Sequence, residues 1–132
     1  MTRHRLLLQQ VRTLGRYSDD EEAGRVLDAV LTLLGSQLTG EERSDLAAVL
    51  PEQDRAVLVS QVPLPEPVTA PAFVEAVARA LHTSLACARW DASSVLAALA
   101  DQAGHGLTDR LLSRLPNGYA LLFGRADLAV AA

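Results

Sequence analysis

The chain contains two related stretches, Leu50-Pro51-Glu52-Gln53 and Leu115-Pro116-Asn117-Gly118. Each Leu-Pro stretch closes a similar run of helical pattern. We call the offset in sequence from Leu50 to Leu115 the repeat spacing. At this spacing, apolar residues before the first stretch fall onto apolar residues before the second: Val30, Leu31, Leu34 and Leu46 onto Val95, Leu96, Leu99 and Leu111. After the stretches, Val57-Leu58 falls onto Leu122-Phe123. A shared period of this length is the sequence sign of a duplicated helical unit.

The composition points to helices alone. Of the 132 residues, 49% are hydrophobic but only 4% are aromatic, so the core must be built from Leu, Val and Ala. Ala and Leu favour helices, whereas the β-branched and aromatic residues that favour strands are scarce. We therefore expect an all-α protein, a compact helical bundle built from two pseudo-symmetric four-helix repeats. Each repeat alone would bury little surface, so the two should share one core.

The first repeat is predicted over residues 1–60. Its first helix should span residues 2–16, with Leu7, Val11 and Leu14 on one apolar stripe. Ser18 should cap a second helix that runs to residue 38, with Glu21 completing a capping box. Thr39 and Glu42 repeat that device. The helix that begins at Pro51 should bury a further set: Ala56, Val57, Leu58 and Val62.

A proline-rich linker is predicted at residues 61–71, because alternating prolines favour an extended, stiff chain. It should connect the halves rather than dock on an aromatic groove of another protein. The second repeat, residues 72–132, should continue a helix capped by Thr69. A long helix over residues 85–103 should follow, with a break at Gly104-His105-Gly106 and short helices at 108–115 and 116–123. Gly124 should end the last one, and Arg125 to Ala132 should add a loose turn or fray.

Charge and cysteine content exclude several functions. The net charge of −4 and pI of about 5.3 repel a phosphate backbone, so nucleic acid is an improbable partner. All 12 basic residues are arginine, which excludes lysine Schiff-base chemistry and suggests a GC-rich coding genome. Cys87, the single cysteine, permits no intramolecular disulfide and should be buried. The run Leu6-Leu7-Leu8 is too short for a signal peptide, and no stretch could span a membrane. We expect a soluble, cytoplasmic protein.

The pattern resembles a bacterial family known as domain of unknown function 2267. The resemblance rests on four features: the acid-capped helix at Ser18 to Glu22, the Gly-containing break at Thr39 to Glu42, Leu50-Pro51, and Leu115-Pro116-Asn117-Gly118-Tyr119 with the ending Leu122-Phe123-Gly124. It covers roughly Leu6 to Gly124. Two departures stand out: Leu58-Val59-Ser60 lacks the Phe-Gly ending, and Ser84 to Cys87 stands where the first half has acids. The resemblance implies a fold but no catalytic or ligand-binding residue.

No catalytic, metal or cofactor site is predicted. His4, His82 and His105 lack the spacing of a helical metal pair, and the serines lack a nucleophile-elbow context. His82 should end a helix, where the dipole favours an imidazolium. The acidic pairs Asp19-Asp20 and Glu41-Glu42 lie in first helical turns, where capping explains them.

Trp90 and four arginines form the candidate interaction surface. Trp90 aligns with Arg25 at the repeat spacing, so it should lie near the surface, either as a contact residue or folded back over Leu85 or Val95. The basic residues of the first helix should form a solvated face, or one paired with acids from the second half; they are Arg3, Arg5, Arg12 and Arg16.

The leading hypothesis is a non-enzymatic helical interaction module that self-associates or binds a protein partner. The alternatives are a regulator that contacts nucleic acid through the arginine-rich helix, and a binder of a small apolar ligand held between the repeats.

Overall fold

The computed structural model describes residues 2–124, and within that range the regular secondary structure is entirely helical. The predicted all-α class is therefore confirmed. The turn predicted for Arg125 to Ala132 lies outside the described residues. The helices are α1 (Arg3–Gly15), α2 (Asp20–Gly35), α3 (Gly40–Val49), α4 (Glu52–Val59), α5 (Ala70–Leu81), α6 (Leu85–Arg114) and α7 (Tyr119–Leu122).

The first two helices begin and end close to their predicted positions. Thr2 caps α1 by accepting a hydrogen bond from the Arg5 N–H, and Arg16 ends the helix in a left-handed conformation with φ 56°. The predicted cap of α2 was wrong by one residue. Asp19 caps the helix by accepting from the Glu22 N–H at 2.8 Å, and the Glu22 carboxylate accepts from the Ser18 N–H. Asp is an equally good cap, so composition could not choose between neighbours.

Glu42 does not complete the capping box predicted for α3. Thr39 is the N-cap residue, but its side chain makes no capping hydrogen bond. The Glu42 carboxylate instead pairs with Arg110 at 3.3 Å and Arg114 at 3.1 Å, both from the far end of α6. These ion pairs join α3 to α6. Glu42, which was predicted to cap its own helix, therefore forms a tertiary contact instead.

The buried face of α4 differs from the predicted one. Leu58 is fully buried as expected, and Val57 is partly buried, but Ala56 is exposed and Val62 is 84% exposed. Asp54, one helical turn before Leu58, takes the buried position instead. Because a charged residue occupies one of the buried positions, the apolar residues alone predicted the wrong face of the helix.

α6 bends at Gly104, which has φ 83° and ψ 168° inside an otherwise helical segment. The break was predicted, but the helix resumes immediately rather than at Thr108. Glycine accepts a positive φ without the steric cost that a Cβ would impose. As a result, α6 consists of two helical segments joined at a single residue.

The core lies around α2 and α6, which contact each other and both α1 and α5. It is lined mainly by Leu, Val and Ala, as the composition predicted. The connection between α4 and α5 is fixed to this core: the Leu64 N–H donates to the Ser36 carbonyl at 2.9 Å, and the Val68 N–H donates to Gln37 Oε1 at 2.7 Å. None of the helices within residues 2–124 is long and apolar enough to cross a membrane.

Candidate functional site

Trp90 lies where the first turns of α6 meet the end of α1. Its side chain is 50% exposed, and its indole Nε1–H donates to the Gly15 carbonyl at 2.9 Å. That carbonyl belongs to the last turn of α1, where carbonyl groups lack a partner within the helix. Trp90 thus contacts the end of α1, and half of its surface stays exposed to solvent, in agreement with its predicted position near the surface.

A second hydrogen bond, next to that of Trp90, also joins the end of α1 to α6. The Tyr17 hydroxyl donates to Asp91 Oδ1 at 2.6 Å, and the tyrosine ring lies against Gly15, where an added Cβ would be 2.0 Å from a ring carbon. Burial raises the pKa of Tyr17 and of Asp91, and the adjoining Asp91 carboxylate raises that of Tyr17 further. The phenol therefore remains a protonated donor at physiological pH. Residues 90 and 91 together hold the end of α1 against α6.

Other side chains close to Trp90 or Gly15 in the sequence are also exposed. Leu14, one residue before the hydrogen-bonded Gly15, is 42% exposed, although it was predicted to be buried. Leu85 is exposed in the first turn of α6. Cys87 is also exposed, which contradicts its predicted burial: Ser84 caps α6, and the Cys87 N–H donates to the Ser84 hydroxyl at the start of the helix. Helical periodicity put Leu14 on the same apolar stripe as Leu7 and Val11, and only the folded chain shows that Leu14 is exposed.

The four arginines do not form one basic face. Arg5 and Arg12 pair with Asp20 at 3.4 and 2.9 Å, and Arg12 also donates to the Ser18 carbonyl. Arg12 and Arg5 hold the pKa of the Asp20 carboxyl below its usual range, with the hydrogen bond from Arg12 the largest cause. The partner acid comes from α2, not from the second half as expected.

The two remaining arginines lie apart from this pair. Arg3 donates to the Val49 carbonyl at the end of α3, at 2.7 Å. Arg16 is exposed at the end of α1. Three of the four guanidinium groups thus bind groups of this chain: Arg5 and Arg12 share Asp20, whereas Arg3 binds the end of α3.

A buried Asp–His pair lies at the other end of α1. His4 Nδ1 lies 2.9 Å from Asp54 Oδ2, Asp54 is fully buried, and its Oδ1 has no hydrogen-bond partner among the described residues. Asp28, an exposed residue on α2, is affected by both members of the pair. Partial burial and the Asp54 charge raise the pKa of Asp28, and His4 lowers it. No local pattern in the sequence indicated the pair, because its two members belong to different helices, α1 and α4, that are distant in the chain.

His4 also lines an open surface groove of about 680 Å³. The other lining residues come from the first turns of α1 and α4: Thr2, Arg3, Pro51, Glu52, Gln53 and Ala56. An Asp bound to one nitrogen of an imidazole orients the ring, and such a pair supports base catalysis where a nucleophile adjoins it. The nearest hydroxyl in this groove belongs to Thr2, which already accepts the Arg5 N–H as the cap of α1. The pair thus fastens α1 to α4.

The other histidines lie apart from this pair. His82 ends α5 in a left-handed conformation with φ 54°, at the helix end where it was predicted, and His105 follows the bend in α6. Within residues 2–124, no group of three or more His, Cys, Asp or Glu side chains is arranged to hold a metal ion.

Comparison with known proteins identifies a family. A family model described as "Uncharacterized conserved protein (DUF2267)" matches residues 4–122. No curated protein matches the chain. The matched range reaches from α1 to α7, and it includes the Asp–His pair and the Trp90 surface.

Proposed function

The chain belongs to the DUF2267 family, and we propose that it is a non-enzymatic helical protein-interaction module whose contact surface is centred on Trp90. The observation that carries this proposal is an exposed indole held in one orientation by a hydrogen bond to the Gly15 carbonyl. Binding requires side chains to give up rotational freedom, and a side chain that is already fixed gives up less. Tryptophan is also enriched among the residues that dominate binding energy.

The indole N–H of Trp90 already has an acceptor within the chain, which favours contact with a partner through the exposed part of the ring. A partner that covers Trp90 need not supply an acceptor for Nε1, so it can bury the ring without leaving an unpaired donor. Leu14, next to Gly15 in the sequence, and Leu85, five residues before Trp90, are exposed apolar side chains as well. The occupant is either a second copy of this chain or another protein with an apolar side chain placed over the indole.

We also propose that the fold is a pair of pseudo-symmetric four-helix repeats. α2 begins at Asp20 and α6 at Leu85, which are related by the repeat spacing, and their side-chain caps Asp19 and Ser84 keep the same spacing. The ends keep it as well: Leu50 ends α3 and Leu115 ends α6, both with extended backbone at ψ 152° and 151°. The second repeat has four helices when α6 is counted as two segments joined at Gly104.

Nucleic-acid binding through α1 has less support. Arg5 and Arg12 neutralise Asp20, and Arg3 binds a main-chain carbonyl, so binding a phosphate would first require breaking these contacts. The overall charge of −4 opposes such binding as well.

Trp90 is the only tryptophan, so its fluorescence reports on the proposed surface alone. Molecular mass should be measured by light scattering over a wide range of protein concentration, together with quenching of Trp90 by acrylamide. A dimer that forms with rising concentration and protects Trp90 from quenching would identify a second copy as the occupant. Trp90→Ala should then weaken the dimer by at least about tenfold, since hot-spot residues contribute about 2 kcal/mol or more.

If the chain stays monomeric, proteins captured from the native host should be compared between the wild type and two variants. Trp90→Ala should lose a specific partner that Leu121→Ala retains, because Leu121 is 65% exposed on α7, at the opposite end of the second half in sequence. Identical capture by all three proteins would contradict the proposed surface.

A further inference from the structure

An open surface groove of about 400 Å³ lies between α3 and α4. Six residues line it: Arg43, Ser44, Ala47, Ala48, Arg55 and Val59. Ala48 and Val59 are exposed, so the apolar floor of the groove is accessible from solvent. No acidic residue lines the groove, although the chain as a whole has a net charge of −4. The groove is therefore a basic and apolar surface on an acidic protein.

The two arginines are held at opposite ends of this groove. Arg43 belongs to the first turn of α3, and its Nη2 donates to the Gln61 carbonyl, just beyond the end of α4, at 2.7 Å. Arg55 belongs to the first turn of α4, and it donates to the Ala47 carbonyl at 2.9 Å and the Leu50 carbonyl at 3.3 Å, at the end of α3. Because each arginine joins the start of its own helix to the end of the other, one guanidinium lies at each end of the apolar floor.

Both guanidinium groups bind the main chain through the same edge. Arg43 uses Nε and Nη2, since its Nε–H donates to the Gly35 carbonyl at 3.1 Å, and Arg55 also uses Nε and Nη2. A guanidinium carries five N–H donors in a planar fork. The other edge, formed by Nη1 and the second hydrogen of Nη2, matches the two oxygens of a carboxylate.

The charge of the two guanidinium groups is also uncompensated. Neither Arg43 nor Arg55 pairs with a carboxylate within residues 2–124, whereas Arg12 and Arg110 each do. The carbonyl groups at a helix end carry only partial negative charge, so both arginines retain a positive field at the groove. Their orientation is nevertheless fixed, because each is held by two hydrogen bonds.

We propose that this groove binds an acidic segment of another protein, in which two carboxylate side chains flank an apolar one. Each carboxylate binds the free edge of one guanidinium, and the apolar side chain covers Ala47, Ala48 and Val59. Since the guanidinium groups are already fixed, they give up little rotational freedom on binding. This surface is separate from the one centred on Trp90, and the inference does not rest on that proposal.

Shape and charge both favour a protein segment as the occupant. Sites for small molecules enclose most of the ligand, whereas this groove is open along its length and suits a chain that lies across it. Nucleic acid or an anionic membrane would bring many negative charges to a protein of net charge −4. Along α3, the rise from residue 43 to residues 47 and 50 is about 6 to 10 Å, which is the separation of two carboxylates one to two turns apart on a helix.

The test uses a synthetic helical peptide with blocked ends that carries two glutamates four residues apart and leucine between them. NMR titration at low ionic strength should shift the Nε–H resonances of both Arg43 and Arg55. The same peptide with glutamine in place of both glutamates should bind at least about tenfold more weakly, because hydrogen bonds to an ionised acceptor are the stronger ones. Added salt should weaken binding of the glutamate peptide, since it screens exposed charges.

Ala48→Glu and Ala80→Glu are matched variants of the chain. Both positions are exposed on helices, α3 and α5, and both changes add one negative charge, but only residue 48 lines the groove. Ala48→Glu leaves both arginines in place and should weaken peptide binding at least about tenfold, by repelling the carboxylates and filling the floor. Ala80→Glu should change the affinity by less than about twofold, because the added charge is screened.

Three results would overturn the proposal: equal losses in the two variants, equal affinity for the two peptides, or unshifted arginine resonances at millimolar peptide. Inorganic phosphate is the probe for a general anion site. If phosphate shifts both arginine resonances as readily as the glutamate peptide does, the proposal fails as well. None of these readouts involves Trp90, so this proposal and the proposed function fail independently.

Discussion

Asp54 and Tyr119 lie one repeat spacing apart in the sequence, and both are fully buried near the start of a short helix. Asp54 pairs with His4 through one oxygen, while its other oxygen has no partner among the described residues. Tyr119 donates its hydroxyl to the Val68 carbonyl at 2.8 Å, and its ring packs against Phe73 with centroids 5.6 Å apart. One of these two buried positions thus holds a carboxyl group, and the other holds an aromatic ring.

Asp54 and Tyr119 are equally buried, but burial of a carboxylate costs far more free energy than burial of a tyrosine ring. Burial raises the pKa of Tyr119, so its phenol stays neutral, and its single donor is satisfied. Asp54 must be compensated by an ionisable partner from α1, because an unpaired buried carboxylate costs several kcal/mol. Asp54 therefore depends on His4 for its partner, whereas Tyr119 needs only a main-chain carbonyl.

Of the changes considered, removal of the His4 side chain should lower the free energy of unfolding the most. His4→Ala leaves Asp54 buried without its partner, so we expect a loss of about 3 kcal/mol in the free energy of unfolding, measured by urea denaturation at neutral pH. The double variant His4→Ala/Asp54→Leu should recover most of that loss, because it removes the buried charge as well. A double variant no more stable than the single one would show that His4 stabilises by packing rather than by its charge.

The second test uses another pair of positions that lie one repeat spacing apart in the sequence, Gly35 and Ala100. A Cβ added to Gly35 would lie 1.9 Å from the Leu58 carbonyl oxygen, so α2 and α4 approach too closely for any side chain there. Glycine to alanine in a helix normally stabilises by about 1 kcal/mol. We expect Gly35→Ala to destabilise by about 2 kcal/mol instead, through backbone displacement.

Ala100→Gly, the reverse change in the second half, should cost only about 1 kcal/mol, the ordinary helix-propensity difference. Thermal or urea unfolding of the two variants gives both values. A stabilised Gly35→Ala variant would mean that α4 can shift away from α2 without loss.

A change at Tyr119 should lower the free energy of unfolding less than the changes at His4 and Gly35. Tyr119→Phe keeps the ring against Phe73 but leaves the Val68 carbonyl without its donor, so the free energy of unfolding should fall by about 1 kcal/mol. Hydrogen exchange should show the loss near residues 68–70. An effect as large as that of His4→Ala would contradict the view that the second half spreads its stabilisation over packing.

Asp28 gives the smallest expected effect and tests the charge near Asp54. Its pKa is raised above the ordinary 3.8 by partial burial and by Asp54. Between 3.8 and the raised value the folded chain binds more protons than the unfolded one, so this group makes the free energy of unfolding fall as pH rises through that interval. Asp28→Asn should remove that contribution and stabilise the chain at pH 7 by a few tenths of a kcal/mol, since the side chain is exposed.

Urea denaturation of Asp28→Asn and of the wild type from about pH 3.5 to 7 measures this difference. The two proteins should converge at the acid end, where Asp28 becomes protonated in both the folded and the unfolded chain. A constant difference across the range would assign the effect to something other than the charge.

Repetition and local chemistry made the helices predictable. Leu7, Val11 and the apolar set on α2 were placed correctly, because a helical period of apolar residues persists wherever a helix covers a core. Thr69 was correctly predicted to cap α5, and Gly104 to break α6. The prediction failed at α4, where Asp54 rather than Ala56 lies on the buried face. Periodicity assumes that buried positions are apolar, and a partner on a distant helix removed that requirement.

The sequence by itself determined the helical class and the approximate helix boundaries, because these follow from propensity, capping and apolar period within a few residues. Only the tertiary structure decided what the charged and aromatic side chains do. It brought His4 to Asp54, Asp20 to the arginines of α1, and Trp90 to the end of the same helix. Hydrogen bonds and ion pairs depend on distances of a few ångströms between residues far apart in the chain, and no local pattern encodes those distances.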